Sequence, residues 1–122
     1  LTREAVLTML NFDLAHIGID TADDAESLSV TETLGGLFSL PVKKGNSSNF
    51  AGTIAEVMKG KGPGTKGHFA IHTNSIERAV AYMSRQGVEF NWDSANPKEG
   101  GPLKALYLKE EVAGFGVHLL RR

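Results

Sequence analysis

The sequence predicts an α+β domain built from two tandem βαβββ modules whose strands curl into mixed sheets. Three observations carry that expectation. The segments His16-Ile17-Gly18-Ile19-Asp20-Thr21 and His68-Phe69-Ala70-Ile71-His72-Thr73 share the pattern His, apolar, small, Ile, polar, Thr at an offset of 52. A second pair, 51–58 and 113–120, recurs at an offset of 62, starting with Ala-Gly both times. Between the paired segments the helix and strand signals come in the same order. A repeat of this length is weighed before any other pattern, because it decides the whole architecture.

In chain order, residues 1–12 form a lead-in helix, with Ala5, Val6, Met9 and Leu10 at helical spacing. The first module spans 13–59. Residues 13–20 alternate, Ile17 and Ile19 on one face and His16 and Gly18 on the other, the signature of a half-buried strand. Thr21, three residues before Asp24, suggests a capping-box start to a helix that Gly35-Gly36 would stop near Leu34. Short strands then reach Met58, punctuated by Pro41, Gly45-Asn46 and Gly52. Residues 60–66 are a Gly/Lys linker. The second module, 67–122, opens with the strand Gly67–Thr73. A helix started by Asn74 and Glu77 carries the stripe Ile76, Ala79, Val80 and Met83 and stops at Gly87. Strands are expected near Val88–Trp92, Leu103–Leu108 and Gly114–Leu120, with a polar loop at Asn96–Pro102.

Composition narrows the function classes. At 122 residues, 41% hydrophobic and 22% charged, the chain has one ordinary globular domain's worth of core. Its net charge of −1, with mixed signs, argues against nucleic acid as a partner. No apolar run approaches the roughly 20 residues of a membrane helix, so no membrane partner is expected. The absence of cysteine removes disulfides, thiolate metal sites and thiol nucleophiles, and fits a cytoplasmic origin. The first residues lack a secretory layout, and the start at Leu1 without an initiator Met suggests a piece cut from a longer polypeptide or an artificially trimmed chain. Neither a phosphate-binding Gly-x-x-x-x-Gly-Lys-Ser/Thr loop nor a Gly-x-Ser-x-Gly elbow occurs.

The doubled βαβββ order, closed by Ala113-Gly114-Phe115-Gly116-Val117-His118-Leu119, resembles the vicinal oxygen chelate superfamily, which includes glyoxalase I and the extradiol dioxygenases. A narrower likeness lies in Leu40–Gly52, Gly67-His68 and Ala113–Leu119. These are similar to the C-terminal domain of long 4-hydroxy-2-oxoglutarate/2-keto-3-deoxy-6-phosphogluconate (KHG/KDPG) aldolases. That resemblance implies an accessory domain of an aldolase-type lyase, with the Schiff-base barrel elsewhere in the parent chain. The alternatives are a stand-alone metal-dependent glyoxalase or dioxygenase-type enzyme, and a non-catalytic dimerisation or metabolite-binding module.

Strand alternation then selects a site. With Ile17, Ile19, Phe69 and Ile71 toward the helices, His16, His68 and His72 face the cup. Ala55 and Val57 likewise leave Glu56 facing in, and Val117 and Leu119 leave His118 facing in. The superfamily resemblance places metal ligands on the first and last strands of each module, where His16, Glu56, His68 and His118 stand. In the family the closing ligand is more often Glu than His. Three imidazoles and a carboxylate suit Zn, Ni, Mn or Fe, since sulfur-seeking metals lack ligands here. Two open positions would accept the neighbouring oxygens of an oxo-acid or sugar-acid, with the ion as Lewis acid and Glu56 as a candidate base. A single strand histidine is more often a hydrogen-bonded rim residue than a ligand; four inward donors at equivalent positions are not independent. His72 reads first as a strand-end polar residue and second as a pocket donor. Asn46, Trp92 and Tyr107 are expected around the pocket. The polar run Gly45–Asn49 beside Lys43-Lys44 is an ordinary hairpin or, less simply, a set of donors to an anion. A homodimer is expected, since open sheet edges invite pairing.

Overall fold

A computed structural model describes all 122 residues. It contains three helices, α1 (Arg3–Leu10), α2 (Asp24–Phe38) and α3 (Ile76–Ser84). Eight strands follow one another as β1 (Asp13–Ile19), β2 (Val42–Lys44), β3 (Ser48–Ala51), β4 (Ala55–Met58), β5 (His68–Thr73), β6 (Phe90–Asn96), β7 (Ala105–Leu108) and β8 (Gly116–Arg121). The strands form a single mixed sheet in the order β2-β3-β4-β1-β5-β8-β7-β6, and the sheet is not closed. β1 pairs parallel with β4, β5 pairs parallel with β8, and β1 meets β5 antiparallel at the centre. This is an α+β architecture, and no helix in it is long and apolar enough to cross a membrane.

Helix ends differ from the expected ones for identifiable reasons. α2 is capped by Asp23, whose carboxylate accepts from Glu26 N, while Glu26 accepts in return from Ala22 N. Thr21 instead donates its hydroxyl to the carbonyl of Met58 at the end of β4. α2 also runs through Gly35-Gly36 to an αL residue at Ser39. Gly35 is there for close approach: a Cβ would meet the Leu40 carbonyl oxygen and a Val42 methyl, both at 2.9 Å. α3 is capped by Ser75, which accepts from Arg78 N. Asn74 and Glu77 serve other elements, donating to Met9 O and accepting from Leu103 N.

The two sides of the sheet's helical face are unequal. Around α3 lies the apolar core of Leu10, Ile76, Ala79, Phe90, Ala95, Leu106 and Leu119. α1 belongs to it: Leu10 is 2% exposed, and its carbonyl accepts from Thr73 Oγ1. Beneath α2 the contacts are polar, with Ser27 donating to Val57 O and receiving Asn49 Nδ2. The helices lie over flanking strands, so the central Ile17 stays 37% exposed although it faces their side. Residues 60–66 are tied down: Asp20 accepts from Gly62 N and Lys61 Nζ, and Lys66 N bonds Gly114 O.

Candidate metal centre

The site lies on the sheet face opposite the helices, and cross-strand register builds it. Glu56 on β4 pairs with Gly18 on β1, and Gly18 pairs with His68 on β5. These side-chain positions share one face, since residues directly opposite in a ladder do so. Gly18 decides what happens next. A Cβ there would overlap the His68 imidazole, so the bare backbone lets that ring lie across β1 toward Glu56. Opposite His16 stands Ala70. Both imidazoles gather on the Glu56 side.

The resulting geometry is tight. His68 Nε2 lies 3.1 Å and His16 Nε2 3.3 Å from the same oxygen, Glu56 Oε1. The other oxygen, Oε2, accepts the Ser48 hydroxyl at 2.8 Å. Donor atoms of His16, Glu56 and His68 all lie within 4.8 Å of one another, and these residues could hold a metal ion. The spacings suit that role. Ligands at about 2.1 Å from one ion stand about 3.0 Å apart in an octahedron and about 3.4 Å apart in a tetrahedron. The two separations to Oε1 fall in that interval. His68 is 1% exposed, and its ring stands edge-on to His16 with centroids 5.5 Å apart. Phe50 walls the other side of His16, again at 5.5 Å.

Electrostatics follow from this packing. His16, then His68, then Ser48 hold the Glu56 carboxyl far below the usual carboxylate range, and burial offsets only part of that. His16 Nε2 is buried 3.3 Å from Glu56 Oε1 without an aligned hydrogen-bond partner. His68 Nδ1 is likewise buried and unpartnered. Buried polar nitrogens of this kind call for an explanation, and on His16 it is the atom facing Glu56 that is left over.

His118 lies next to this trio and is not part of it. Its ring centroid is 6.5 Å from that of His68, and its face is stacked on Tyr107 at 4.1 Å and 9°. Tyr107 is its direct cross-strand partner on β7. Burial first, then the neighbouring His68 and His16, push the His118 imidazole down to about 4, so it is neutral at pH 7. Burial and the Glu56 charge push the Tyr107 phenol up to about 12, which keeps it a donor. His72 shares the face but sits at the rim, 3.6 Å from Asp13, which Arg122 also contacts at 2.9 Å. Asn46 lies in the β2–β3 hairpin. Trp92 is 55% exposed on the edge strand β6 and tilts against Phe90 rather than any histidine. Ser48, Phe50 and Gly18 are the contributors that alternation did not single out. Only Gly18 carried a signal, as a glycine inside a strand.

No protein-family model matches the sequence. No curated protein matches it either. Among solved structures the chain is similar to a hypothetical protein, BH1468, from Bacillus halodurans C-125. The two are 18% identical with a TM-score of 0.62, over 92% of this chain and 95% of that one. At that identity the likeness concerns the fold.

Proposed function

We propose that this chain is a metal-binding domain of the vicinal-oxygen-chelate type, holding one divalent cation through His16, Glu56 and His68. The observation that carries the reading is the convergence of those three donor sets at ligand-like spacing. Strand register adds support for a doubled βαβββ unit. Ile17–Ala55, Gly18–Glu56 and Ile19–Val57 pair as Phe69–Val117, Ala70–His118 and Ile71–Leu119 do, the same offsets that relate the repeated segments. Such a cation supplies Lewis acidity to a small ligand with neighbouring oxygens, an oxo-acid or a sugar-acid. The chain's own groups divide the remaining work. Glu56, with Ser48 on Oε2, stays ionised and is assigned the role of ligand ahead of base. His118, neutral beside the centre, and Tyr107, a phenol donor, flank the place where that ligand sits. The likeness of Leu40–Gly52 and Ala113–Leu119 to the aldolase C-terminal domain supports an accessory role beside a lyase barrel.

Protein purified without a histidine tag, incubated with zinc and desalted, is expected to retain one equivalent of metal by elemental analysis. His68→Ala and His16→Ala should each release it, because two remaining protein ligands hold zinc far more weakly. Both variants should keep the far-ultraviolet circular dichroism of the parent. Sub-stoichiometric zinc in the parent, or full retention in both variants, overturns the assignment.

A further inference from the structure

The β2–β3 hairpin has a composition that its turn does not require. Two lysines precede Gly45, and Asn46, Ser47 and Ser48 follow it. Register sorts the lysines by face. Lys43 pairs with Phe50, and Phe50 pairs with Glu56, so Lys43 lies in the same lateral row and on the same face as the metal centre. Lys44 pairs with Asn49, whose amide bonds Ser27 on α2, so Lys44 starts from the helical face. Two strand spacings put Lys43 about 9–10 Å from Glu56 at the backbone, within reach of an extended lysine and a short ligand.

Three further facts bear on what that lysine does. Lys43 has no carboxylate partner, a property it shares with Lys44, Lys66, Lys98 and Lys104, so its place in the metal centre's row is what distinguishes it. A cavity of about 220 Å³ opens along the hairpin, lined by Lys43, Lys44, Asn46, Ser47, Ser48 and Phe50. Two of its walls touch the centre: Ser48 bonds Glu56 and Phe50 packs on His16. A cation, an amide and hydroxyls beside a chelating centre make a complement to an acid group. The set holds no arginine fork and no helix N-terminus, so it suits a carboxylate better than a dianionic phosphate.

We propose that the hairpin cavity is a carboxylate subsite, with Lys43 as its cation, for the far end of a ligand whose near end chelates the metal. The ligand class is a short dicarboxylate carrying a 2-oxo or 2-hydroxy acid at one end. This rests on the metal reading above and adds the specificity that the centre alone lacks.

The test uses zinc-loaded, untagged protein titrated by calorimetry with two probes. 2-Oxoglutarate carries the distal carboxylate; 2-oxopentanoate has the same chain length without it. The parent is expected to bind 2-oxoglutarate about three- to tenfold more tightly, the range of one partly solvated charge-assisted contact. Lys43→Ala should abolish that preference while leaving zinc stoichiometry and 2-oxopentanoate binding unchanged, and Lys43→Glu should invert it. Lys44→Ala should keep it. Equal binding of the two probes by the parent, a preference that survives Lys43→Ala, or equal loss in Lys44→Ala each overturn the subsite. Zinc retained with neither probe bound also overturns it and leaves the metal centre standing. Failure to retain zinc removes both readings.

Discussion

Among single residues, Gly18 has the most consequence for the least mass. Its missing Cβ is the space that the His68 ring occupies, and through that ring it sets the approach to Glu56. Gly18→Ala is expected to push the imidazole off its position. The overpacking should cost on the order of 1–3 kcal/mol in urea unfolding. Zinc affinity should fall about 10–100-fold, as when an outer-shell support of a ligand is lost. A Gly18→Ala protein that binds zinc like the parent would show that His68 reaches the ion by another path. Residue faces were legible from the sequence because strand alternation has a period of two. The lean of His68 across β1 was not, since it depends on which residue of another strand lies beneath the ring.

At the level of elements, the pairing of β7 with β8 creates the Tyr107–His118 stack and buries an imidazole that stays neutral. This has a consequence for stability with a definite sign. In the unfolded chain His118 titrates near 6.5, and in the folded chain near 4. Between those values the unfolded state binds more protons, so stability is fully present above about 6.5 and is lost as pH falls toward 4. Urea midpoints measured from pH 7 to 4.5 should decline in the parent and decline less in His118→Phe, which keeps an aromatic ring against Tyr107. The Glu56 carboxyl, also depressed, adds its loss only below its ordinary value of 4.5, so the variant retains that part. Equal slopes in parent and variant would assign the titration to another group. Helix positions were readable from the sequence, and their caps were not. Thr21 and Asp23 at α2, and Asn74 and Ser75 at α3, are all competent N-cap types, and Thr21 and Asn74 are drawn off by the tertiary partners Met58 O and Met9 O.

For the whole molecule, an open eight-stranded sheet leaves β2 and β6 as unpaired edges. Its helical face leaves Leu14 51% and Ile17 37% exposed between the flanking helices. Exposed edges and a midline of apolar side chains favour association of two copies, by symmetry the commonest closed arrangement. Sedimentation velocity at high micromolar protein is expected to report a dimer, and Ile17→Lys to shift it toward monomer without loss of zinc. A parent that sediments as a monomer at that concentration contradicts the expectation.

Composition, period and repeat spacing by themselves determined that this chain would be a small α+β domain with inward donors on β1, β4, β5 and β8. Those are local quantities: alternation places a side chain on a face whatever lies across the sheet. Which donors meet was decided by the tertiary structure. His68 reaches Glu56, beside His16, because Gly18 opens a path across β1. His118 is held aside by Tyr107, a partner contributed by a strand eight residues upstream of β8. Lateral contacts between strands distant in sequence set the ring positions, and no pattern along a single strand encodes them.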